Sequence, residues 1–450
     1  MDVEILSRIQ FALTIAFHYI YPPISIGLGI GLIIMEGLYL KTKNQIWQEL
    51  TQFWVKIFAL VFALGVSTGI VMVFGFGTNW ANYSRFVGDV FGSALGAEGV
   101  FAFFMESGFL ALLLFGWNRI SPKMHFFSTI MVALGAHFSA VWIVVANSWM
   151  QTPAGYKIVG EGAKTHAVVT DFWEMVLNPS SVDRLTHVII GCWLAGAFLI
   201  LSVSSYYLYK KRFLLHAKCS MKVGIWMGLI GVILQLFSGD STAKGVYVNQ
   251  PVKLAACEGI YKTGPAPLAL FGWVNTKEKK VEYAITIPGG LSFLLYGDFK
   301  HPVKGLDQFP VEDHPPVQIV FQAYHLMIAM WGMMATAVFL AIWAWRRRFV
   351  INKWIWRFLI ISVIFPQIAN QAGWFTAEVG RQPWIVWGVL RTSAGLSRTV
   401  GAKAVLGSII MFSVIYTLLF ALFIFLLNHK IKQGPHLLDD TESTYKNKGS

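Results

Sequence analysis

The stretch from Val405 to Leu427, VLGSIIMFSVIYTLLFALFIFLL, decides the fold class, because its 23 residues carry no charge. A helix of about 20 predominantly apolar residues is long enough to cross the hydrocarbon core of a bilayer. Reading outward, runs of similar character recur near 10–40, 53–74, 95–116, 124–149, 182–209, 221–238, 317–345 and 354–378, with the quoted stretch inside a ninth at 403–427. Composition agrees: 56 % of the 450 residues are hydrophobic and 13 % charged, against roughly 25 % charged in soluble domains. So few charges cannot cover a water-soluble surface, and the same numbers exclude a disordered chain. The expectation is an all-α polytopic membrane protein with about nine transmembrane helices. Helices one to six occupy 1–237, a polar loop 238–316, helices seven to nine 317–430, and a polar tail 431–450.

The net charge of +13 does not point to nucleic acid, since the basic residues gather in short clusters between apolar runs. Alternate linkers hold Lys41/Lys43, Arg119/Lys123, Lys210/Lys211/Arg212 and Arg346/Arg347/Arg348, whereas the short linkers between them carry little more than Arg85. Positive charge accumulates on the cytoplasmic side of spanning helices. The amino terminus and the long loop are therefore expected outside, and the carboxyl terminus in the cytoplasm. The first run lacks a basic leader and a small-residue cleavage site, so it is expected to be retained. Cys192, Cys219 and Cys257 are scattered and form no metal-binding spacing.

Ionisable groups inside the spans need a reason, because each costs roughly 2.5 kcal/mol or more at the bilayer centre. His18 lies in span one, Glu98 and Glu106 in span three, His187 near the outer end of span five, and Glu378 at the end of span eight. Eight residues are about 2.2 helical turns, which puts Glu98 and Glu106 on one face about 12 Å apart. Such a pair suits a proton relay or a cation path, and the plainer reading is a structural partner elsewhere. His125, His137 and His325 are read as packing residues. Orientation places Glu98, His187 and Glu378 near outer helix ends, Met327 in the outer half of span seven, and Glu106 deeper. Histidine, methionine and carboxylate can ligate or tune haem iron. On these residues alone, an ion transporter and a haem-bearing electron carrier both stay open, though no internal repeat supports the transporter.

Several longer motifs add a resemblance. The run Leu6-Ser7-Arg8-Ile9-Gln10-Phe11-Ala12-Leu13-Thr14 precedes His18, and Phe76-Gly77-Thr78-Asn79-Trp80, Glu98-Gly99, Glu106-Ser107 and Val145 to Gln151 follow in order. Lys253-Leu254-Ala255-Ala256 with Glu258 sits in the long loop, and Gly373 to Trp384 contains Gly380-Arg381-Gln382-Pro383-Trp384. Over essentially its whole length the chain resembles subunit I of the cytochrome bd family of quinol oxidases, in its short-loop branch.

The resemblance implies a quinol:oxygen oxidoreductase in the bacterial cytoplasmic (inner) membrane. It implies that His187 and Met327 are the axial pair of a low-spin haem b. It assigns His18 and Glu378 to the ligands of a high-spin haem b and a haem d, leaving open which residue serves which. Glu98 matches a carboxylate beside the high-spin pair and Glu106 one further along the proton path. Lys253 and Glu258 match residues that bind and oxidise quinol, and Trp374 and Arg381 match residues packed near the haems. The implied partners are subunit II, a small third subunit, quinol, oxygen and membrane lipid. Two positions depart from the family pattern: Asn118 stands where an aspartate is common, and His325 stands where an arginine is common two residues before the methionine.

Overall fold

The structure is a computed structural model that describes residues 2–436; the remainder of the expected tail lies outside the described residues. Among the described residues, nine helical segments are long and apolar enough to cross a membrane: Val3–Thr42, Gln45–Thr78, Gly88–Phe115, Pro122–Gln151, Ser181–Lys210, Leu214–Asn249, Val317–Arg346, Lys353–Val379 and Ala402–Gln433. They are called spans one to nine below. The end of the bundle that carries the long loop is the loop end, and the lysine- and arginine-rich opposite end is the basic end.

Span five is the axis of the bundle, with Ile190 to Leu208 largely buried against spans one, six and eight. Its contact with span one is backbone to backbone. A Cβ on Gly27 would fall 2.2 Å from the Cys192 carbonyl oxygen, and one on Gly196 would fall 2.1 Å from the Gly27 carbonyl carbon. Small residues permit this approach, which replaces the hydrophobic drive that lipid does not supply between helices.

Two spans are broken where the sequence read as continuous. Span one divides into Val3–His18 and Tyr21–Thr42, with Pro22 and Pro23 in the first turn of the second piece. Proline has no N–H to return to the preceding turn, so the break falls just before it and leaves His18 at a helix end. Span eight divides into Lys353–Ile361 and Ile364–Val379, and Pro366 lacks the N–H that would bond the Ser362 carbonyl. Span three contains a π-helical segment, Glu98–Phe103. Wide turns of this kind are rare and recur at functional sites.

Span six runs eleven residues beyond the expected end at Ser238, reaching Asn249. Hydropathy falls in this stretch, but nothing interrupts the backbone until Gln250 and Pro251. Its polar side chains meet the first turn of span five, where Ser241 Oγ donates to Asp183 at 2.9 Å. The loop after it is structured. It comprises a helix Pro251–Glu258, an antiparallel hairpin Leu268–Asn275 with Lys280–Ile287, and a helix Gly290–Tyr296. Val252, Ala256, Cys257, Leu291 and Phe321 form a small core that fastens this loop to span seven.

Candidate functional site

At the loop end, spans four, five and eight deliver polar side chains to one buried point. Asn147 Nδ2 donates to Glu378 Oε1 at 2.9 Å, and Gln151 Nε2 reaches the same oxygen at 3.3 Å. Arg381 pairs with the other oxygen of Glu378, and Arg184 donates to the side-chain Oδ1 of Asn147. Lys253 closes the group from the loop side, donating to Gln151 Oε1 and, at 2.5 Å, to Gln250 Oε1. Lys253 is only 2 % exposed. Burial first, then the cations Arg184 and Arg381, hold its ammonium well below the usual lysine range. Although its helix belongs to the loop, Lys253 is thus part of the same polar cluster as Glu378.

The two carboxylates of span three lie against span four. Ser139 Oγ donates to Glu98 Oε1 at 2.5 Å. One turn away along span four, a Cβ on Gly135 would fall 2.9 Å from Glu106 Cβ, so the missing side chain admits the Glu106 backbone. Among the described residues neither carboxylate takes part in an ion pair. Along span four the contacts therefore read Gly135 with Glu106, Ser139 with Glu98, Asn147 with Glu378 and Gln151 with Lys253. Steps of four and eight residues keep neighbours on a slowly winding stripe.

Of the remaining ligand-type residues, His18 has a support suited to metal binding. Thr68 Oγ1 lies 2.8 Å from the Leu64 carbonyl and 2.9 Å from His18 Nδ1. Its one proton goes to the backbone, so it accepts from Nδ1–H and leaves the lone pair on Nε2. A hydrogen bond at the second ring nitrogen is the usual way of fixing a ligating histidine. His187 is met by Ser238 Oγ at 3.2 Å on Nδ1 and by Gln235, which reaches Nε2 at 3.0 Å. Met327 Sδ sits 2.9 Å from where a Cβ on Gly373 would be.

These features fit haem. An ionised carboxylate has about four acceptor positions, and Asn147, Gln151 and Arg381 use three of those on Glu378. Arg381 Nη1 and Arg184 Nε are buried with no protein acceptor, which suits the anionic propionates of a haem.

Comparison with known proteins decides the family. Residues 6–435 match the description of cytochrome bd terminal oxidase subunit I. The chain belongs to that family. It is 40 % identical to the cytochrome bd ubiquinol oxidase subunit 1 of Bacillus subtilis (strain 168), over 96 % of this chain and 94 % of that one. It is 32 % identical to the cytochrome bd-II ubiquinol oxidase subunit 1 of Escherichia coli (strain K12), over 98 % and 99 % of the two. The bd oxidase structure from Geobacillus thermodenitrificans superposes with a TM-score of 0.88 at 28 % identity, covering 96 % of this chain and 99 % of that one. The cytochrome bd family implies haem cofactors, and its subunit I is generally found with a subunit II.

Within this subunit I fold, Glu258 lies apart from the Glu378 cluster. It is 2 % exposed and faces Tyr324 on span seven. Burial pushes its carboxyl up to about 7, against the opposing effect of the Tyr324 hydroxyl and the Ala269 backbone. The His325 ring sits between the Phe321 carbonyl, 2.8 Å from Nδ1, and the Ala269 carbonyl, 2.9 Å from Nε2, clipping the hairpin to span seven. His137 is likewise held by the Ala133 carbonyl and Trp193. His125 is different, being paired with buried Glu36 at 2.6 Å. Sequence reading passed over Thr68, Arg184, Gln235 and Gln250. Arg184 and Gln235 carried a signal, as polar residues in or beside apolar runs; Thr68 carried none.

Proposed function

We propose that this chain is the haem-bearing subunit of a terminal respiratory oxidase that oxidises quinol at the outer face of the membrane and reduces oxygen to water. The basic clusters support a cytoplasmic basic end and an outer loop end. His187 and Met327 would hold the low-spin haem b, and His18 and Glu378 the high-spin haem b and haem d. When bound, these haems supply electron transfer and the reduction of oxygen by four electrons and four protons to two waters.

The protein's own side chains manage protons and charge. Glu258, buried beside Tyr324 in the loop, takes a proton from quinol and passes it outward. Arg184 and Arg381 place positive charge around Glu378 and would face the propionates, with Lys253 held beside them by Gln151 and Gln250. Trp374, on the last turns of span eight, would pack against the same haem region. Glu106 and then Glu98 carry protons from the cytoplasmic side toward Glu378. Because electrons enter from the outside and protons from the inside, charge is separated across the membrane without a pump.

The observation that carries this reading is the stripe on span four, which links Glu106, Glu98, Glu378 and Lys253 in order of depth. A subunit II and a small third subunit complete the enzyme. A pyridine haemochrome assay on the purified complex, followed by oxygen uptake with reduced quinol, tests the proposal. Absence of haem would make it an ion pathway, and haem without oxygen uptake would make it an electron carrier.

A further inference from the structure

The stripe on span four needs a source of protons, and Asn118 cannot supply one because an amide does not titrate. Asn118 is exposed in the short linker between spans three and four. Beside it, the Trp117 ring lies 4.0 Å from the ring of His125. Behind that ring is a cluster the function above does not use. His125 Nδ1 is 2.6 Å from Glu36 Oε1, and Thr129 Oγ1 donates to Glu36 Oε2 at 2.5 Å. His125 Nε2 is 3.1 Å from the Leu113 carbonyl. Glu36 and His125 are each 1 % exposed.

Resting on the proton route proposed above, we propose that Glu36, His125 and Thr129 form the proton-loading site at the cytoplasmic end of that route, feeding Glu106. The bonding pattern is that of a carrier. A carbonyl only accepts, so Nε2 of His125 keeps its proton in every state. The next proton lies between Nδ1 and Glu36, on either atom, with every hydrogen bond preserved. Releasing it leaves a carboxylate that still accepts from Thr129. A purely structural ion pair is the competing use of such a group, and a buried pair of that kind contributes little net stability. Position favours the carrier. Thr129 and Gly135 are six residues apart on span four, so Glu106 lies about 9 Å further along the helix axis. A gap of that length calls for a chain of two or more hydrogen-bonded waters.

The test uses the purified complete oxidase with its partner subunit. E36Q preserves size and hydrogen bonding but removes the titrating group. Turnover should fall about a hundredfold, the scale expected for a lost proton-transfer group. Haem spectra should not change, and anaerobic reduction of the haems by quinol should keep its rate, because that step releases protons rather than taking them up. E36D should restore most of the turnover. E106Q measured alongside separates the two readings. Slow E106Q with wild-type rates in E36Q and H125Q overturns the loading site and leaves the route intact; wild-type rates in all three overturn both. Should E36Q fail to assemble, T129V leaves the Glu36–His125 pair in place. Its redox-difference infrared spectrum should then show a shifted carboxyl carbonyl band, and a spectrum identical to wild type overturns the proposal.

Discussion

Thr68 Oγ1 accepts a hydrogen bond from His18 Nδ1 at 2.9 Å and so selects the tautomer in which Nε2 can bind iron. The interaction joins span two to the broken end of the first helix. Replacing Thr68 with Val removes the acceptor at nearly constant volume. Loss of such a support costs roughly 10–100-fold in metal affinity. T68V should therefore lose a high-spin haem on dilution or mild detergent washing, while the low-spin spectrum persists. Retention of all haem in the washed protein would separate Thr68 from ligation.

His187 and Met327 are offered from spans five and seven, with Ser238 of span six on Nδ1 of the histidine and Gln235 against both ring nitrogens. H187A or M327L should abolish the low-spin haem b band while the chain still inserts in the membrane. Q235L should shift the band and keep the haem. An unchanged low-spin spectrum in both ligand variants would reassign the pair.

Glu106 is tested with E106Q, which should keep haem content and lower turnover about two orders of magnitude. N118D should raise turnover or leave it unchanged, since it adds a titrating group in front of a path that works without one. A wild-type rate in E106Q would remove Glu106 from the obligatory route.

Glu258 gives a pH dependence. Its carboxyl, pushed up to about 7, is mainly protonated below that pH and ionised above it. Only the ionised form can take a proton from quinol. Quinol oxidation should therefore rise with pH through about 7, and E258Q should be slow and lack this limb with its haems intact. The neighbouring Cys257 thiol holds its proton through this range, since burial pushes it up. K253M should act differently: because Lys253 bonds Gln151 beside Glu378, it should alter a high-spin spectrum as well as slow quinol oxidation.

The contact between spans one and five should tolerate no side chain. G27L or G196L drives atoms into backbone within about 2 Å and should prevent accumulation of the assembled protein in the membrane. Normal yield of either variant, judged by membrane extraction and haem content, would contradict the close packing.

The amino-acid sequence by itself determined that the chain is helical and membrane-spanning, how many runs can cross, and which ionisable residues stand where lipid would exclude them. Those properties follow from local composition, since burying a charge or an unpaired backbone group in hydrocarbon is costly wherever it occurs. The proline-driven breaks after His18 and before Pro366 were also available locally, yet periodicity alone read both spans as continuous. Tertiary structure decided the rest. That Lys253 belongs with Glu378, that His125 pairs with Glu36, and that Thr68 sets the tautomer of His18 depend on residues 125, 89 and 50 positions apart in the chain. No periodicity encodes such distances. They arise because glycines at positions 27, 135 and 196 let the helices approach until polar side chains from different spans have only one another to bond.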